Sequence, residues 1–320
     1  MIERALTVAA AVGAVGVGCA VWGIGIERYL FTVRHHDVAV LPSDVAPLTV
    51  LHLSDAHMAP WQHRKQDWIA RIADEVQPDF VVNTGDNLGH AEGLTGIRRA
   101  FAPLRGVPGV FVHGSNDVVG PTARNPLAYF SGPSGHRRRA ERLDTAAMDD
   151  YFTDELGWTG LNNTAARLEV QGLVIDAFGV DDAHRDWDDL AALPDALGRI
   201  RRRGLWRAPR AADLRLGVTH APYRRVLDRL VELGADVLIA GHTHGGQVRI
   251  PFSPRALVAN CDIPLDQARG LSTWRADGRR VPLNVSAGLG HSIYAPVRFG
   301  CRPEVSVLRL LPTTARPDSV

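Results

Sequence analysis

Gly241-His242-Thr243-His244-Gly245-Gly246-Gln247, directly after the apolar run 237–240, decides how this chain is read. A glycine followed by two histidines one residue apart lets a tight turn aim two imidazoles at metal ions. Upstream of it, four more polar clusters each close a short aliphatic or β-branched run. These are Asp55-Ala56-His57 after 48–53, Gly85-Asp86-Asn87 after 80–83, Gly114-Ser115-Asn116-Asp117 after 110–113, and His220 after 214–218. Alone, an Asp-x-His or a Gly-Asp-Asn is usually a turn. Five such clusters in one order, each at a strand end, describe a two-metal hydrolytic centre.

The 320 residues, 45% of them hydrophobic, suffice for one large domain with a small appendage. A net charge of +1 gives no electrostatic footing for a nucleic-acid partner, and none is expected. Lys65 is the single lysine among the basic residues, a bias read as genome composition. The three cysteines make neither a disulfide framework nor a CxxC metal knuckle, although Cys261 and Cys301 could pair in an exported protein. Residues 5–26 carry no charge, a run long enough to cross a hydrocarbon core of about 30 Å as a helix. A single-pass membrane anchor at 1–30 is the leading expectation. Its rival is a cleaved signal peptide and export, on the strength of Arg4 and Gly16-Val17-Gly18-Cys19. Arg4 before the segment competes with Arg28 and Arg34 after it, so the side of the membrane stays open.

A polar connector is expected at 31–47, one catalytic domain at 48–312 and a short tail at 313–320. Helical spacing at 61–76, near 94–104, at 188–201 and at 221–233 alternates with the strands above and with further strands at 166–170, 173–178, 283–286 and 305–311. That alternation implies α/β layering, with the polar clusters at the carboxyl ends of strands, where open sheets form sites. Residues 118–157 break the rhythm and read as an insertion over the site.

In this set of motifs the chain resembles the calcineurin-like metallophosphoesterase superfamily, whose pattern is Asp-x-His, Gly-Asp, Gly-Asn-His-Asp/Glu, a lone His and Gly-His-x-His. The continuation of 241–247 into Val248-Arg249-Ile250-Pro251, with Ser286-Ala287-Gly288-Leu289-Gly290 and Pro296-Val297-Arg298-Phe299, is most similar to its membrane-associated bacterial group. The resemblance implies a four-layer αββα sandwich of two mixed sheets behind an N-terminal transmembrane helix. It implies Asp55, His57 and His244 on one metal ion, His220 and His242 on the other, and Asp86 bridging the two. Mn, Fe or Zn suits this carboxylate and imidazole set. The activity implied is phosphoester hydrolysis by attack of a metal-bridging hydroxide.

The third motif departs from that pattern. Ser115 stands where the family has a metal-binding Asn, and Asn116 where it has the His that protonates the leaving group or steadies the transition state. Serine is a poor neutral ligand, so the favoured reading is a one-residue shift that brings the Asn116 carboxamide oxygen to the second metal. A missing general acid costs about 10²–10⁴-fold. The substrate expected is therefore one with a good leaving group, a phosphodiester or pyrophosphate, and, beside an apolar segment, an amphiphilic or lipid-linked one. In Asp181-Asp182-Ala183-His184, Asp182 or His184 could substitute for the acid, against the plainer reading of aspartates capping a helix. His113 is expected to pack inward, while His90 and His291 either approach the site or are simply solvated. Arg137, Arg138 and Arg139 on the insertion suit a substrate phosphate or anionic headgroups, although most charge runs are only solvated faces. The alternatives are a soluble-substrate phosphomonoesterase or nuclease of the same superfamily, and a metal-binding module with weakened catalysis.

Overall fold

A computed structural model describes residues 1–120, 141–202, 210–253 and 255–313. The chain enters through α1 (Ile2–Val21) and β1 (Thr32–Leu41). It continues through β2 (Leu48–Leu53), α2 (His63–Val76), β3 (Phe80–Asn83), α3 (Gly93–Phe101) and β4 (Gly109–Phe111). The single turn α4 (Ser115–Val118), α5 (Thr145–Asp150) and β5 (Trp158–Gly160) follow. Next come β6 (Thr164–Val170), β7 (Leu173–Gly179), α6 (Ala192–Arg202), β8 (Leu214–Thr219), α7 (Arg224–Glu232) and β9 (Val237–Ala240). β10 (Gly270–Ala276), β11 (Arg279–Val285) and β12 (Glu304–Pro312) complete the order.

Successive side chains of a strand point to opposite faces, and here both faces are apolar. Phe80 and Val82 of β3 turn inward while Val81 turns out; Val237 and Ile239 of β9 turn inward while Leu238 turns out. Each sheet must therefore be covered twice, and it is. The inner layer joins Val50, Val82 and Val110 of one sheet to Ile175, Leu216 and Ile239 of the other. Outside the first sheet lie Ile69, Ile97 and Phe101 of α2 and α3, and outside the second lie Leu193 of α6 and Leu230 of α7. Each such burial contributes about 1.5–3 kcal/mol. The result is four layers, α/β/β/α, with strand orders β1-β12-β2-β3-β4-β5 and β10-β11-β9-β8-β7-β6. Both sheets are mixed: β2 to β5 run parallel with β12 antiparallel beside β2, and β7, β8, β9 and β11 run parallel between antiparallel edges β6 and β10.

Two stretches differ from expectation. Residues 31–47, expected as a connector, contain β1, which pairs in parallel with β12 from Thr32↔Glu304 onward. Its polar residues are those of an edge strand, with Arg34 paired to Glu304 and Asp37 to Arg309. Of the expected insertion at 118–157, residues 121–140 lie outside the described residues, and Arg137, Arg138 and Arg139 with them. The remainder does not cover the site as a loop. α5 and the turn 151–156 that extends it carry Met148, Phe152 and Leu156 into the outer core, where Phe152 meets Phe101, Phe111 and Trp158.

The segment Ala9–Tyr29 has a mean hydropathy of 1.9, is only 6% buried, and is long and apolar enough to cross a membrane. Its end is joined firmly to the domain. The Glu27 carboxylate is buried and accepts from the backbone N–H groups of Gly300 (3.0 Å) and Cys301 (2.7 Å) and from the Trp22 indole (2.7 Å). Arg298 N–H donates to Gly23 O at 3.1 Å. Cys19, Cys261 and Cys301 are all free, so the pairing considered for the last two is not formed.

Candidate metal centre

The loops after β2 and β3 zip together through backbone bonds, Asp55 N to Gly85 O (2.8 Å) and His57 N to Asp86 O (2.9 Å). Asp117 fastens the third loop to them, its carboxylate accepting from Asp86 N and Asn87 N, both at 2.7 Å. From the second sheet, Gly241 N–H donates to His220 O at 2.9 Å, and His242 N–H to Asp55 Oδ2 at 3.0 Å. The closeness of these loops explains two glycines. A Cβ on Gly114 would stand 2.2 Å from Asp86 Oδ1, and one on Gly241 would stand 2.0 Å from Ser54 Oγ. Asp55, His57, Asp86, His242 and His244 all adopt left-handed backbone, with φ of 49°, 40°, 54°, 68° and 50°. Such conformations cost about 1–3 kcal/mol each in non-glycine residues and collect at functional sites.

The donors converge as two overlapping sets. Asp55, His57 and His244 bring ligand atoms within 4.8 Å of one another, and so do Asp55, Asp86 and His220. His57 Nε2 lies 3.2 Å from His244 Nε2, and His242 Nδ1 lies 3.2 Å from His220 Nε2. Between the pairs stands Asp86, whose Oδ2 is 3.5 Å from His57 Nε2 and 3.6 Å from His220 Nε2. Asn116 also reaches this carboxylate, donating through its backbone N to Oδ1 (2.8 Å) and through Nδ2 to Oδ2 (2.7 Å). Ser115 makes no such contact with Asp86.

This arrangement fits metal ions. The Asp55 Oδ2 atom is satisfied by the Ser54 hydroxyl and His242 N–H, while Oδ1 is buried without a hydrogen-bond partner among the described residues. Imidazole nitrogens facing each other at van der Waals distance repel unless a cation or proton lies between them. Thr84 O can only accept, so His220 Nδ1 donates to it at 2.7 Å and Nε2 is left as a lone-pair donor. His242 Nε2 lies 3.3 Å from both the carbonyl oxygen and the carboxamide nitrogen of Asn260 and can bond either with Nδ1 turned to His220. The charges agree. Burial raises Asp55 to about 6 with Asp86 adding to it, against the pull of His220. Burial also works against a charged His220, yet Asp86, Asp182 and Asp55 outweigh it and lift its pKa to about 9, so a proton on Nε2 and a metal ion compete for the same lone pair. A site so rich in carboxylate calls for cations.

Beneath these donors lies a layer that sequence reading missed. Asn284 Nδ2 donates to His52 Nδ1 (2.9 Å), His52 Nε2 to Thr84 Oγ1 (2.9 Å), the Thr84 hydroxyl to Ser54 Oγ (2.6 Å), and Ser54 to Asp55 Oδ2. Burial pushes His52 down to about 3, so its neutral ring holds this relay in one direction. Arg298, fully buried, donates to the carbonyls of His244 (3.0 Å), Ala287 (2.8 Å) and Gly288 (3.2 Å). Lys65, also buried, donates to Ala56 O at 2.5 Å, between two metal-site residues, and burial holds its amine down to about 7. A lone lysine in an arginine-rich chain was the available signal.

The remaining candidates separate. Asp182 caps the turn at 183–185 through Oδ1, accepting from His184 N at 2.8 Å, while its buried Oδ2 has no partner among the described residues. Burial raises its carboxyl to about 6. The His184 ring lies 4.5 Å from that of His242 and shares a hydrogen bond with Tyr223 OH at 3.0 Å. His113 is tied away from the donors by Asp149 at 2.7 Å. His90 stacks edge-on against Trp61, and His291 is buried and held by Ser292 O at 3.0 Å.

Residues 48–246 match the calcineurin-like phosphoesterase family. The chain is 25% identical over 296 residues to the Escherichia coli (strain K12) protein named phosphodiesterase YaeI, covering 90% of this chain and 93% of that one. It is 24% identical over 263 residues to the uncharacterized metallophosphoesterase YkoQ of Bacillus subtilis (strain 168), covering 81% and 82% of the two chains. Among solved structures, TT1561 of Thermus thermophilus aligns over 76% of this chain and 91% of that one at 10% identity, with a TM-score of 0.41. With its two mixed sheets, flanking helices and clustered metal donors, the chain belongs to the calcineurin-like phosphoesterase family and is a metal-dependent phosphoester hydrolase.

Proposed function

We propose that this hydrolase cleaves a phosphodiester or pyrophosphate bond, in an amphiphilic or lipid-linked substrate, while held at a membrane by residues 1–30. The observation that carries the bond type is the third loop: Asn116, not a histidine, stands against the bridging carboxylate. Asp55, His57 and His244 would hold one ion, His220, His242 and the Asn116 carboxamide the other, and Asp86 both. Mn, Fe or Zn bound there would polarise the phosphoryl oxygens and supply an activated water at neutral pH.

The chain's own groups do the rest. The relay from Asn284 to Ser54 keeps Asp55 Oδ2 occupied, so Oδ1 stays turned into the site. The Asn116 amide, repositioned from Asp86, can donate to a phosphoryl oxygen but cannot protonate a leaving group, which favours esters whose leaving oxygen needs no proton. Asp182, whose carboxyl burial raises to about 6, and His184 beside His242 are the available substitutes for the acid. Arg137, Arg138 and Arg139 are assigned to the substrate phosphate. A substrate embedded in a bilayer is supported by the firm junction of the apolar helix to the 298–301 loop, whose Arg298 touches His244. That junction also favours a retained anchor over a cleaved leader.

The test is turnover by the metal-loaded full chain on matched monoester, diester and pyrophosphate substrates, each with and without an acyl chain. Faster cleavage of diester or pyrophosphate, enhanced by the acyl chain in vesicles, is expected. Preference for a soluble monoester would overturn the reading, and absence of turnover in protein of full metal content would leave only a metal-binding module.

A further inference from the structure

Where the apolar segment gives way to β1, Tyr29 and Phe31 face Arg64, Trp68 and Arg71 of α2 across an open cavity of about 710 Å³. Phe31 and Trp68, with ring centres 5.3 Å apart, form an apolar wall. The guanidiniums of Arg28 and Arg64 both lie over the Tyr29 ring, 4.5 Å and 5.6 Å from its centre. Neither is paired with a carboxylate among the described residues, and Arg28 Nε is buried without a hydrogen-bond partner there. Asp67, on the cavity wall, is taken by Arg99 at 2.6 Å, and Arg71 meets Glu75 only through Nε at 3.9 Å, a loose exposed pair that leaves its other guanidinium nitrogens for a second anion. Like charges gathered on one ring repel, and an anion in the cavity beside Arg64 relieves that repulsion.

The position names the anion. Ala9–Tyr29 is the span long enough to cross a bilayer, so its last residue lies at the level of the lipid phosphates. We infer that this cavity is a phospholipid site. Arg64 and Arg71 take the headgroup phosphate of an anionic lipid, Tyr29 backs their guanidiniums, and Phe31 and Trp68 pack against the start of an acyl chain. The inference rests on the anchor reading of residues 1–30 and concerns a site apart from the metal centre. A lipid held there, with Glu27 fixing the end of the span, sets the tilt of the domain on the bilayer.

Native mass spectrometry of the detergent-solubilised full chain, titrated with phosphatidylglycerol or phosphatidylcholine, tests it. One phosphatidylglycerol should be retained per chain, and Arg64→Gln with Arg71→Gln should weaken it about ten-fold, the loss of one charge-assisted contact or more. Tyr29→Leu should weaken it less, and all variants should cleave a soluble diester as the wild type does. Equal retention of both lipids, or unchanged retention in the double variant, overturns the proposal. Displacement by excess inorganic phosphate would assign the cavity to a soluble phosphate and overturn the lipid source. The anchor reading fails separately: full-length protein stripped from membranes by carbonate, or a mature N-terminus beyond residue 19, refutes it whatever the purified chain retains.

Discussion

Asp55, His57 and His244 are held from behind by the His52 relay, Lys65 and Arg298, whereas His220 and His242 lean on two backbone carbonyls and share their side of the centre with Asn116. The first half is braced by side chains from both sheets. The second half is where this chain departs from the family pattern, on the four-residue turn α4. A donor on a short turn can change with little disturbance, while one set in a buried network cannot. The proposed function makes metal capture and leaving-group chemistry separable parts of one site, and the following experiments press on that separation.

Asp86 lies within 3.6 Å of both His57 and His220 and is the proposed shared ligand, so Asp86→Ala should have the largest effect. Metal content should fall from about two ions per chain to below one, with turnover lost; elemental analysis beside a diester assay decides it, and a fully active variant would refute the shared carboxylate. Next comes the third loop. Asn116→Ala should lower turnover by about 10²-fold and Ser115→Ala far less. Restoring the family order with Ser115→Asn and Asn116→His should help poor leaving groups more than good ones, with metal occupancy checked in each protein. If Ser115→Ala empties the site instead, serine is the ligand.

The relay should matter less than a ligand. His52→Leu removes a group that touches no ion yet orients Asp55, and about 10–100-fold in metal affinity is the expected loss. Titration calorimetry should place that loss on one of the two binding steps; equal weakening of both would dissolve the distinction between the halves. The last effect concerns stability and leaves turnover aside. Lys65 has its amine held near 7 by burial, against an ordinary 10.5. Below pH 7 both folded and unfolded chains carry the proton, and the cost of burying the charge is fully present. Between 7 and 10.5 only the unfolded chain keeps it, so stability rises with pH by at most ~1.4 kcal/mol per pH unit. Lys65→Met lacks this slope, and urea midpoints of the two proteins from pH 7 to 10 should show wild type gaining on the variant.

How much of this was legible follows from the kind of signal each part gives. Strands buried on both faces are continuous apolar runs, so β2, β3 and β9 and the clusters that end them stand out in sequence. β1 does not, because Arg34, His35, His36 and Asp37 give an edge strand the look of a linker. β10 was not read from the sequence; it meets β11 at Asp277-Gly278, a two-residue hairpin turn with φ of 50° and 66°. The helix at 145–150 starts late in a polar stretch and shows its apolar face only once Phe101 and Trp158 are in place. In the site, the clustering donor residues could be read, but their left-handed backbone could not. Nor could the link from Asn284 to His52, which spans 232 positions and exists only after the sheets stack.

Lys65 has one consequence of a practical kind. As the chain's single lysine, with its amine sealed against Ala56 O, it leaves the folded surface without a side-chain amine. Acylating reagents that count amines should therefore find the chain terminus at once and a second group only when the loop between Asp55 and His57 opens. The mass of the labelled protein becomes a clock for that opening, and metal ions that lock the loop should slow it.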